Sequence, residues 1–364
     1  MSWILQAEDL APIALGCAML GSGGGGDTHC AIILLGELIR QGHRIPIVDP
    51  AHLATEEVIL TVGYVGAPIV LAEKLLSGGE IVSAIDAMRD RLGRPIDALI
   101  ASEIGGLNGM VPLIASAMTG LPVVDADGMG RAFPRGDQVT FSIYGHSSVP
   151  AVVAGEGGEV VIITAASNAR SEELTRALSV QMGSKAFSIE YPLSGEDVRR
   201  HAIPRTLSLA RAIGRAISGT IGAEARFEAL ASMLDRQWGI ATRRLFAGRI
   251  TACSRDTRGG FDRGMIEIAQ SGTDGQLMRI AFQNEFLVAY RDDALIATTP
   301  DIISIVDADT FHPIHSEGIR YGQQVEVLAI EAPALLKTAE ALHMVGPRAF
   351  GHDCDFQPIA ALPA

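Results

Sequence analysis

Short apolar segments alternate with segments of helical spacing through residue 130, and this alternation constrains the fold more than any other feature. The segments 45–49, 58–67, 96–106 and 121–128 are β-branched and bounded by Pro or Gly, as buried strands are. Strands that alternate with helices predict an α/β domain with a mainly parallel sheet. In such sheets, ligand sites lie beyond the carboxyl ends of the strands. Two further helices should precede the first strand, with Asp9 as the N-cap of the first.

The pattern changes after about residue 150, and we place the domain boundary near residues 165–170. An amphipathic helix at 171–184, further helices at 196–218 and 224–238, and a series of hairpin strands from residue 244 follow. We therefore predict two domains. Residues 1–167 form the α/β domain, and residues 168–364 form an α+β domain with a β-rich end.

Composition limits the classes of partner. The formal net charge is −13, and phosphate affinity requires clustered Lys and Arg, so we expect no nucleic acid. The N-terminus has no basic region of a signal peptide, and no apolar run approaches the roughly 20 residues that span a bilayer, so we expect no association with a membrane.

The four cysteines form no CxxC pair, which fits free thiols in the cytoplasm. We expect a small-molecule substrate and, because closed homo-oligomers are common among soluble enzymes, a homo-oligomer.

The segment Gly21–Asp27 (GSGGGGD) is the strongest local signal in the chain. Backbone amides of a glycine run at a helix N-terminus can converge on an anion or an electron-rich oxygen. The alternative is close helix–helix packing around a tight turn. No Lys-Ser/Thr follows the glycines and a helix precedes them, so a phosphate-binding P-loop is disfavoured. The candidate binding residues are Gly23, Gly24, Gly25 and Gly26.

Two acidic segments follow predicted strands. Glu103 and Asn108 come after the apolar strand DALIAS, where parallel-sheet enzymes place catalytic groups, although a surface turn is the alternative. Asp125 and Asp127 are spaced i, i+2, so on an extended strand they point to the same side. Paired carboxylates either bind a cation or act as a coupled acid and base, and Arg131 could neutralise them or orient a substrate. An Asp-rich turn with its own hydrogen bonds is the alternative.

A third polar cluster, Gln283, Asn284 and Glu285, interrupts an apolar strand pattern. Three consecutive polar residues in a buried strand should face a cleft or a polar network. The histidines show neither HxH nor HxxxH spacing, and GHSSV (145–149) lacks the last Gly of a nucleophile elbow. A divalent, zinc-like ion held mainly by carboxylates is compatible with these motifs, but no spacing establishes it.

The ordered set of motifs resembles the DUF917 family, whose two parts are named after S-methyl thiohydantoin desulfurase. The motifs are GSGGGGD, SEIGGLN, ADGMGRAFP, AFQNE, TPDII with RYG, and GPRAFG, and together they cover nearly the whole chain. The resemblance implies chemistry on hydantoin-like cyclic amides, the named reaction being hydrolysis of an S-methyl thiohydantoin to hydantoin and a thiol. It also implies functional association with hydantoinase/oxoprolinase-type proteins.

Three functional hypotheses follow. The first is a hydrolase in which water attacks a ring carbon, with Asp125 or Asp127 as base or metal ligand, Glu103 as its partner and Arg131 as the orienting group. Asn108, Gln283, Asn284, Glu285 and the glycine amides would bind the substrate. The second is a non-catalytic ligand-binding or partner subunit of a hydantoinase-type system. The third, nucleotide binding by the glycine loop, is disfavoured by the missing Lys-Ser/Thr.

Overall fold

A computed structural model describes residues 2–67, 70, 74, 76–258, 261–270 and 275–361. The chain forms two sheets, and helices cover the first. The helices of the described residues are α1 (Ala7–Leu20), α2 (His29–Arg40), α3 (Gly79–Leu92), α4 (Val111–Thr119), α5 (Thr140–Ile143), α6 (Asn168–Gln181), α7 (Gly195–His201), α8 (Thr206–Ser218), α9 (Ala223–Met233) and α10 (Ala339–Val345). None of these helices is long and apolar enough to cross a membrane.

The first sheet has a parallel centre and antiparallel edges. Within the described part of the chain its strands are β1 (Trp3–Ile4), β2 (Pro46–Val48), β3 (Val58–Gly66), β4 (Ala98–Ala101), β5 (Val123–Asp127), β6 (Ala151–Ala154), β7 (Val160–Ile163), β8 (Lys185–Ser194) and β9 (Ile203–Pro204). The order is β1-β2-β5-β4-β3-β8-β6-β7, with β9 also paired to β5. Strands β2, β5, β4 and β3 run parallel. Every residue of β4 and β5 is buried, as expected of strands with both faces covered.

The second sheet is antiparallel throughout. Its strands among the described residues are β10 (Thr242–Arg258), β11 (Phe261–Gln270), β12 (Leu277–Gln283), β13 (Glu285–Arg291), β14 (Ala294–Thr298), β15 (Ile302–Asp307) and β16 (Gln324–Ile330). They are arranged in the order β14-β13-β12-β11-β10-β16-β15. The predicted fold class, a parallel-centred α/β part followed by a β-rich part, is confirmed. The predicted division at residue 167 lies between β7 and α6, and β8 and β9 beyond it belong to the first sheet.

Two local predictions are corrected, and one strand lies outside the predictions. Asp9 is not the N-cap of α1, because the helix begins at Ala7 and the Asp9 carboxylate accepts a hydrogen bond from the Gln6 backbone amide at 3.2 Å. The segment 283–285 is not the interior of one strand, because the chain reverses there and Gln283 pairs with Glu285. Strand β8 was not predicted, although it forms the antiparallel neighbour of β3.

Candidate functional site

A cavity lies where the carboxyl ends of β3, β4 and β5 meet the glycine loop and the turn between β12 and β13. Its volume is about 100 Å³. The parallel strands thus place it where the sequence predicts a ligand site. Its walls are formed by Gly24, Gly25, Gly26, Gly63, Tyr64, Val65, Gly66, Ser102, Glu103, Asn108, Met129, Phe133, Pro134, Gly136, Glu172, Arg176, Ser188, Glu190, Asn284 and Glu285.

The glycine loop forms one wall with its backbone. A Cβ atom at Gly24 would overlap the Glu285 carboxylate, and one at Gly25 would overlap the Gly105 backbone. These close approaches explain why the loop between α1 and α2 carries no side chains there. The amides of Gly25 and Gly26 donate to no described residue. The glycines thus pack against Glu285 and Gly105 and leave two backbone donors at the cavity, while the binding of an anion there stays a prediction.

Glu103 follows β4 and is held in place by two donors. The Asn108 side-chain amide donates to Glu103 Oε1 at 2.6 Å, and the Phe133 backbone amide donates to Oε2 at 3.3 Å. Asn108 is itself fixed, because it exchanges hydrogen bonds with the backbone of Tyr64. Burial raises the pKa of Glu103 to about 8, against the lowering effect of these hydrogen bonds. Glu103 therefore takes up and releases a proton near neutral pH.

Glu285 enters the same cavity from the second sheet. The turn that carries it has Asn284 at its apex, with φ at +58°. The Asn284 side chain accepts a hydrogen bond from the Asp262 amide at 2.9 Å. Burial, and then the nearby charge of Glu103, raise the pKa of Glu285 well above its ordinary value, and Oε2 has no hydrogen-bond partner among the described residues. A buried carboxyl of this kind holds its proton at neutral pH.

A second acidic pair forms the opposite wall. Oε2 atoms of Glu172 on α6 and Glu190 on β8 both face Gly136, at 3.0 Å and 3.1 Å from the position a Cβ would take. Arg176 donates to Glu172 at 2.6 Å and to the Pro134 carbonyl at 2.9 Å. Burial and the Glu172 charge raise the pKa of Glu190 to about 8. One cation therefore stands among four carboxyl groups in the cavity.

Asp127 does not line the cavity but orders its loops. Its Oδ2 atom accepts hydrogen bonds from the backbone amides of Ile104, Met129 and Gly130, at 2.7–2.9 Å. Asp127 is fully buried, and burial raises its pKa to about 7. The predicted proximity of Glu103 and Asp127 is present, since the amide adjacent to Glu103 donates to Asp127. Its contacts are those of the Asp-rich turn given above as the alternative.

Asp125 lies apart from the cavity. The Ser208 backbone amide donates to Asp125 Oδ1 at 3.0 Å, and the Ser208 hydroxyl donates to Oδ2. The carboxylate thus caps the first turn of α8, where negative charge is favoured. The structure therefore separates Asp125 from Asp127, and the expected joint action of the two carboxylates is corrected: each is bound within its own surroundings.

Arg131 is fully buried and lies outside the cavity walls, but its charge acts on the carboxyl groups of Glu103 and Glu285 within them. Its guanidinium donates to the backbone carbonyls of Ala132, Phe286, Pro300 and Asp301, at 2.9–3.2 Å. Three of these bonds join the loop after β5 to the second sheet and its loops, while the bond to Ala132 stays within the loop, so the expected substrate-orienting role is corrected to a structural one. Gly23, which packs against the Phe286 ring, and Gln283, paired with Arg263, also lie outside the cavity walls of the described chain.

The donor set does not fit the divalent, zinc-like ion that the acidic motifs left open. Among the described residues, no group of three or more His, Cys, Asp or Glu side chains is arranged to hold a metal ion. Metal ligation requires ionised carboxylates, whereas burial favours the neutral form of Glu103, Glu190 and Glu285.

The sequence analysis missed the wall formed by Glu172, Arg176 and Glu190. Glu172 and Arg176 belong to a helix whose buried face is itself polar, with Ser171, Thr175 and Ser179 beside Glu172, so no apolar stripe shows which face is covered. Glu190 carries one: it stands inside the apolar strand KAFSIEYPL, where an ionisable group is costly unless it has a role.

Two family models match the chain from residue 8 to residue 359. The model described as S-Me-THD-like, N-terminal domain, matches residues 8–165, and the model described as S-Me-THD-like, C-terminal domain, matches residues 166–359. The crystal structure of a protein from Chromobacterium violaceum is similar, with a TM-score of 0.82 and 25% identity over 98% of this chain and 100% of that one. No curated protein matches the sequence.

Proposed function

This chain belongs to the S-Me-THD-like family, as its motifs predict, and we propose that it hydrolyses S-methyl thiohydantoin or a related hydantoin-like cyclic amide. The observation that carries the proposal is the meeting of Glu103 and Glu285, one from each sheet, beside the backbone of Gly24–Gly26.

Glu103 is the general base and Glu285 the general acid of the proposed reaction. The ionised Glu103 takes a proton from water as the water oxygen attacks the ring carbon that bears the S-methyl group. The amides of Gly25 and Gly26 stabilise the negative charge that develops on the ring. Glu285 then protonates the departing sulfur as the carbon–sulfur bond breaks, and the proton on Glu103 restores Glu285 through water. The products are hydantoin and methanethiol, so atoms and protons balance.

Asn108 acts as a positioning residue for this chemistry. It holds Glu103 Oε1 while it is anchored on both backbone groups of Tyr64, so the base cannot turn away from the cavity. On the opposite wall, Arg176 and the neutral Glu190 are placed to bind the polar edge of the ring.

The test is methanethiol release from S-methyl thiohydantoin, followed with a thiol-trapping dye. We expect Glu103→Gln and Glu285→Gln each to lower kcat by about 100-fold or more, the range for removal of a general acid or base. Glu228→Gln is the matched control, because Glu228 is exposed on α9. Wild-type turnover in both cavity variants would refute the proposed roles. Ligand binding by a wild-type protein that releases no thiol would instead support a non-catalytic partner subunit.

We further propose that the protein works in the cytoplasm as a homo-oligomer, beside hydantoinase/oxoprolinase-type proteins. The four cysteines of the chain form no disulfide in the structure, as a reducing compartment requires. Light scattering of the purified protein tests the oligomeric state: a monomer at micromolar concentration would contradict it.

A further inference from the structure

A second concave surface lies on the first-sheet part of the chain and shares no lining residue with the cavity. It has a volume of about 880 Å³, within the range of small-molecule pockets. We call it the tryptophan groove. It is lined by Ser2, Trp3, Asp49, Asp125, Arg205, Ser208, Arg211, Ala212, Arg215, Ala216, Met233, Gln237 and Trp238.

Both tryptophans of the chain line this groove, and each carries an arginine on its face. The Arg205 guanidinium carbon lies 4.6 Å from the Trp238 ring centre, and that of Arg211 lies 4.5 Å from the Trp3 ring centre. Stacking on an indole holds a guanidinium flat and presents its N–H edge to the groove. A flat, oriented guanidinium is a suitable partner for a carboxylate or phosphate group.

Two backbone irregularities shape the groove. Residues Leu234–Trp238 form one turn of π-helix after α9, a geometry that is frequent at functional sites. Arg205 has φ at +63°, the left-handed region that a residue with a Cβ rarely occupies. Its amide donates to the Asp125 carbonyl at 2.6 Å, which fixes the strained residue at the start of α8. Both irregularities occur at the residues of one stack, Arg205 on Trp238.

The charges of the groove leave one arginine available. Arg211 and Arg215 pair with Asp9 at 3.3 Å and 2.8 Å, and the Asp125 carboxylate is occupied by Ser208. Arg205 is exposed and makes no ion pair or side-chain hydrogen bond with a described residue, although its charge offsets part of the rise that burial causes in the pKa of Asp125. A second carboxylate, Asp49, also lines the groove. In a chain of net charge −13, an unpaired arginine stacked in a groove is an unusual local site for an anion.

We propose that the tryptophan groove binds a planar ring that carries an oxyanion. The oxyanion, a carboxylate or a phosphate, accepts hydrogen bonds from the edge of Arg205. The ring stacks on the side of this guanidinium that faces away from Trp238. This proposal does not depend on the hydrolysis proposed for the cavity, because the two sites share no lining residue.

Tryptophan emission reports the groove directly, because the chain has no tryptophan elsewhere. The full-length protein is titrated with AMP and with benzoate, which carry the same ring-and-oxyanion chemistry from two sources. We expect saturable quenching with a Kd below about 1 mM for at least one of them. AMP alone would identify phosphate as the oxyanion, benzoate alone carboxylate. Trp238→Phe should remove most of the quenching and Trp3→Phe little of it.

Arg205→Gln should weaken binding by about tenfold or more, and Arg205→Lys, which keeps the charge without the planar edge, should weaken it less. The matched control is Arg89→Gln, because Arg89 is a partly exposed arginine of α3 that pairs with Asp86. Circular dichroism verifies that each variant is folded. The proposal is overturned if neither probe quenches, if Arg205→Gln and Arg89→Gln bind alike, or if adenosine or inorganic phosphate binds as tightly as AMP.

Discussion

At the scale of single residues, burial sets the chemistry of the cavity. Glu103 and Glu190 have pKa values raised to about 8, and that of Glu285 is raised further from its ordinary range. Each carboxyl is buried, so its ionised form loses the hydration it would have in water and its pKa rises. The hydrogen bonds to Glu103 offset only part of that rise. The cavity therefore holds neutral acids at pH 7 beside a base that ionises slightly above it.

Activity should rise with pH through the pKa of Glu103. The base is active only when ionised, so kcat/KM should fall about tenfold for each pH unit below about 8. Above about pH 8 the rise should end, because Glu190, whose pKa is also about 8, loses the proton with which it would bind the ring. The measurement is the pH profile of methanethiol release between about pH 6 and about pH 9. The residual activity of Glu103→Gln should lack this rise, and a flat wild-type profile would rule out Glu103 as the base.

Stability should fall with pH through the pKa of Glu190. Its folded-state pKa of about 8 exceeds the ordinary value of 4.5, so the stability it contributes is complete below about pH 4.5 and is lost as the pH rises through 8. Glu190→Gln remains neutral. The variant should match wild type in its free energy of unfolding near pH 5 and exceed it by at least about 1 kcal/mol near pH 9. Urea titrations of both proteins, with Glu228→Gln as the control, measure this difference.

At the scale of elements, the turn between β12 and β13 sets the position of Glu285. The chain reverses at Asn284, which tolerates a positive φ better than most residues and bonds to Asp262 on β11. The neighbouring turn between β13 and β14 has the same kind of backbone at Asp293, with φ at +69°, but lies outside the cavity walls of the described residues.

Substitutions in these two turns should separate stability from activity. Asn284→Ala places a Cβ in the left-handed region without a local hydrogen bond, so it should be less stable than Asn284→Gly by about 1 kcal/mol. It should also lower the rate of thiol release, because Glu285 follows directly. Asp293→Ala should be less stable than Asp293→Gly by a similar amount and keep full activity. Equal activity of Asn284→Ala and Asp293→Ala would contradict this assignment.

At the scale of the whole molecule, the two sheets are joined at the site. Arg131 binds carbonyls of the second sheet and its loops, and Ser22 of the glycine loop donates to the Ile303 carbonyl at 2.7 Å. Neither part can supply both Glu103 and Glu285, so the proposed chemistry requires the two parts to be docked.

The two parts should unfold together. Tryptophan emission reports the tryptophan groove, and far-ultraviolet circular dichroism reports both sheets. In a urea titration, the two signals should give the same unfolding midpoint. Arg131→Lys should lower the free energy of unfolding by about 3 kcal/mol, because lysine cannot reproduce the four hydrogen bonds of the guanidinium. The urea midpoints of both signals should therefore fall together. Arg89→Lys serves as the partly exposed control. Two separate midpoints in the wild-type protein would show that the parts are independent.

The hydrophobic periodicity of the sequence predicts much of the fold, but it predicts only some of the residues that line the cavity. The apolar runs before Glu103 and Asp127 identify buried parallel strands, and their ends are where the cavity lies. The position of Glu285 depends on how the second sheet packs against the glycine loop, where the Phe286 amide donates to the Ser22 carbonyl at 2.7 Å, and no local pattern encodes that packing. Asp125 and Asp127 share a spacing typical of paired acids. Yet Asp125 caps α8 and Asp127 binds loop amides, so the two carboxylates do not act as a pair. The burial of Arg131 also arises from tertiary packing.

The wall formed by Gly24, Gly25 and Gly26 presents only main chain to a bound molecule, so exchanging side chains cannot easily alter that half of the cavity. Substitutions that change which compounds bind must then be made on the other walls, at Val65, Glu172, Arg176, Ser188 and Glu190. Under the proposed hydrolysis, a combinatorial library confined to those five positions should yield variants that accept new compounds and still depend on Glu103 and Glu285.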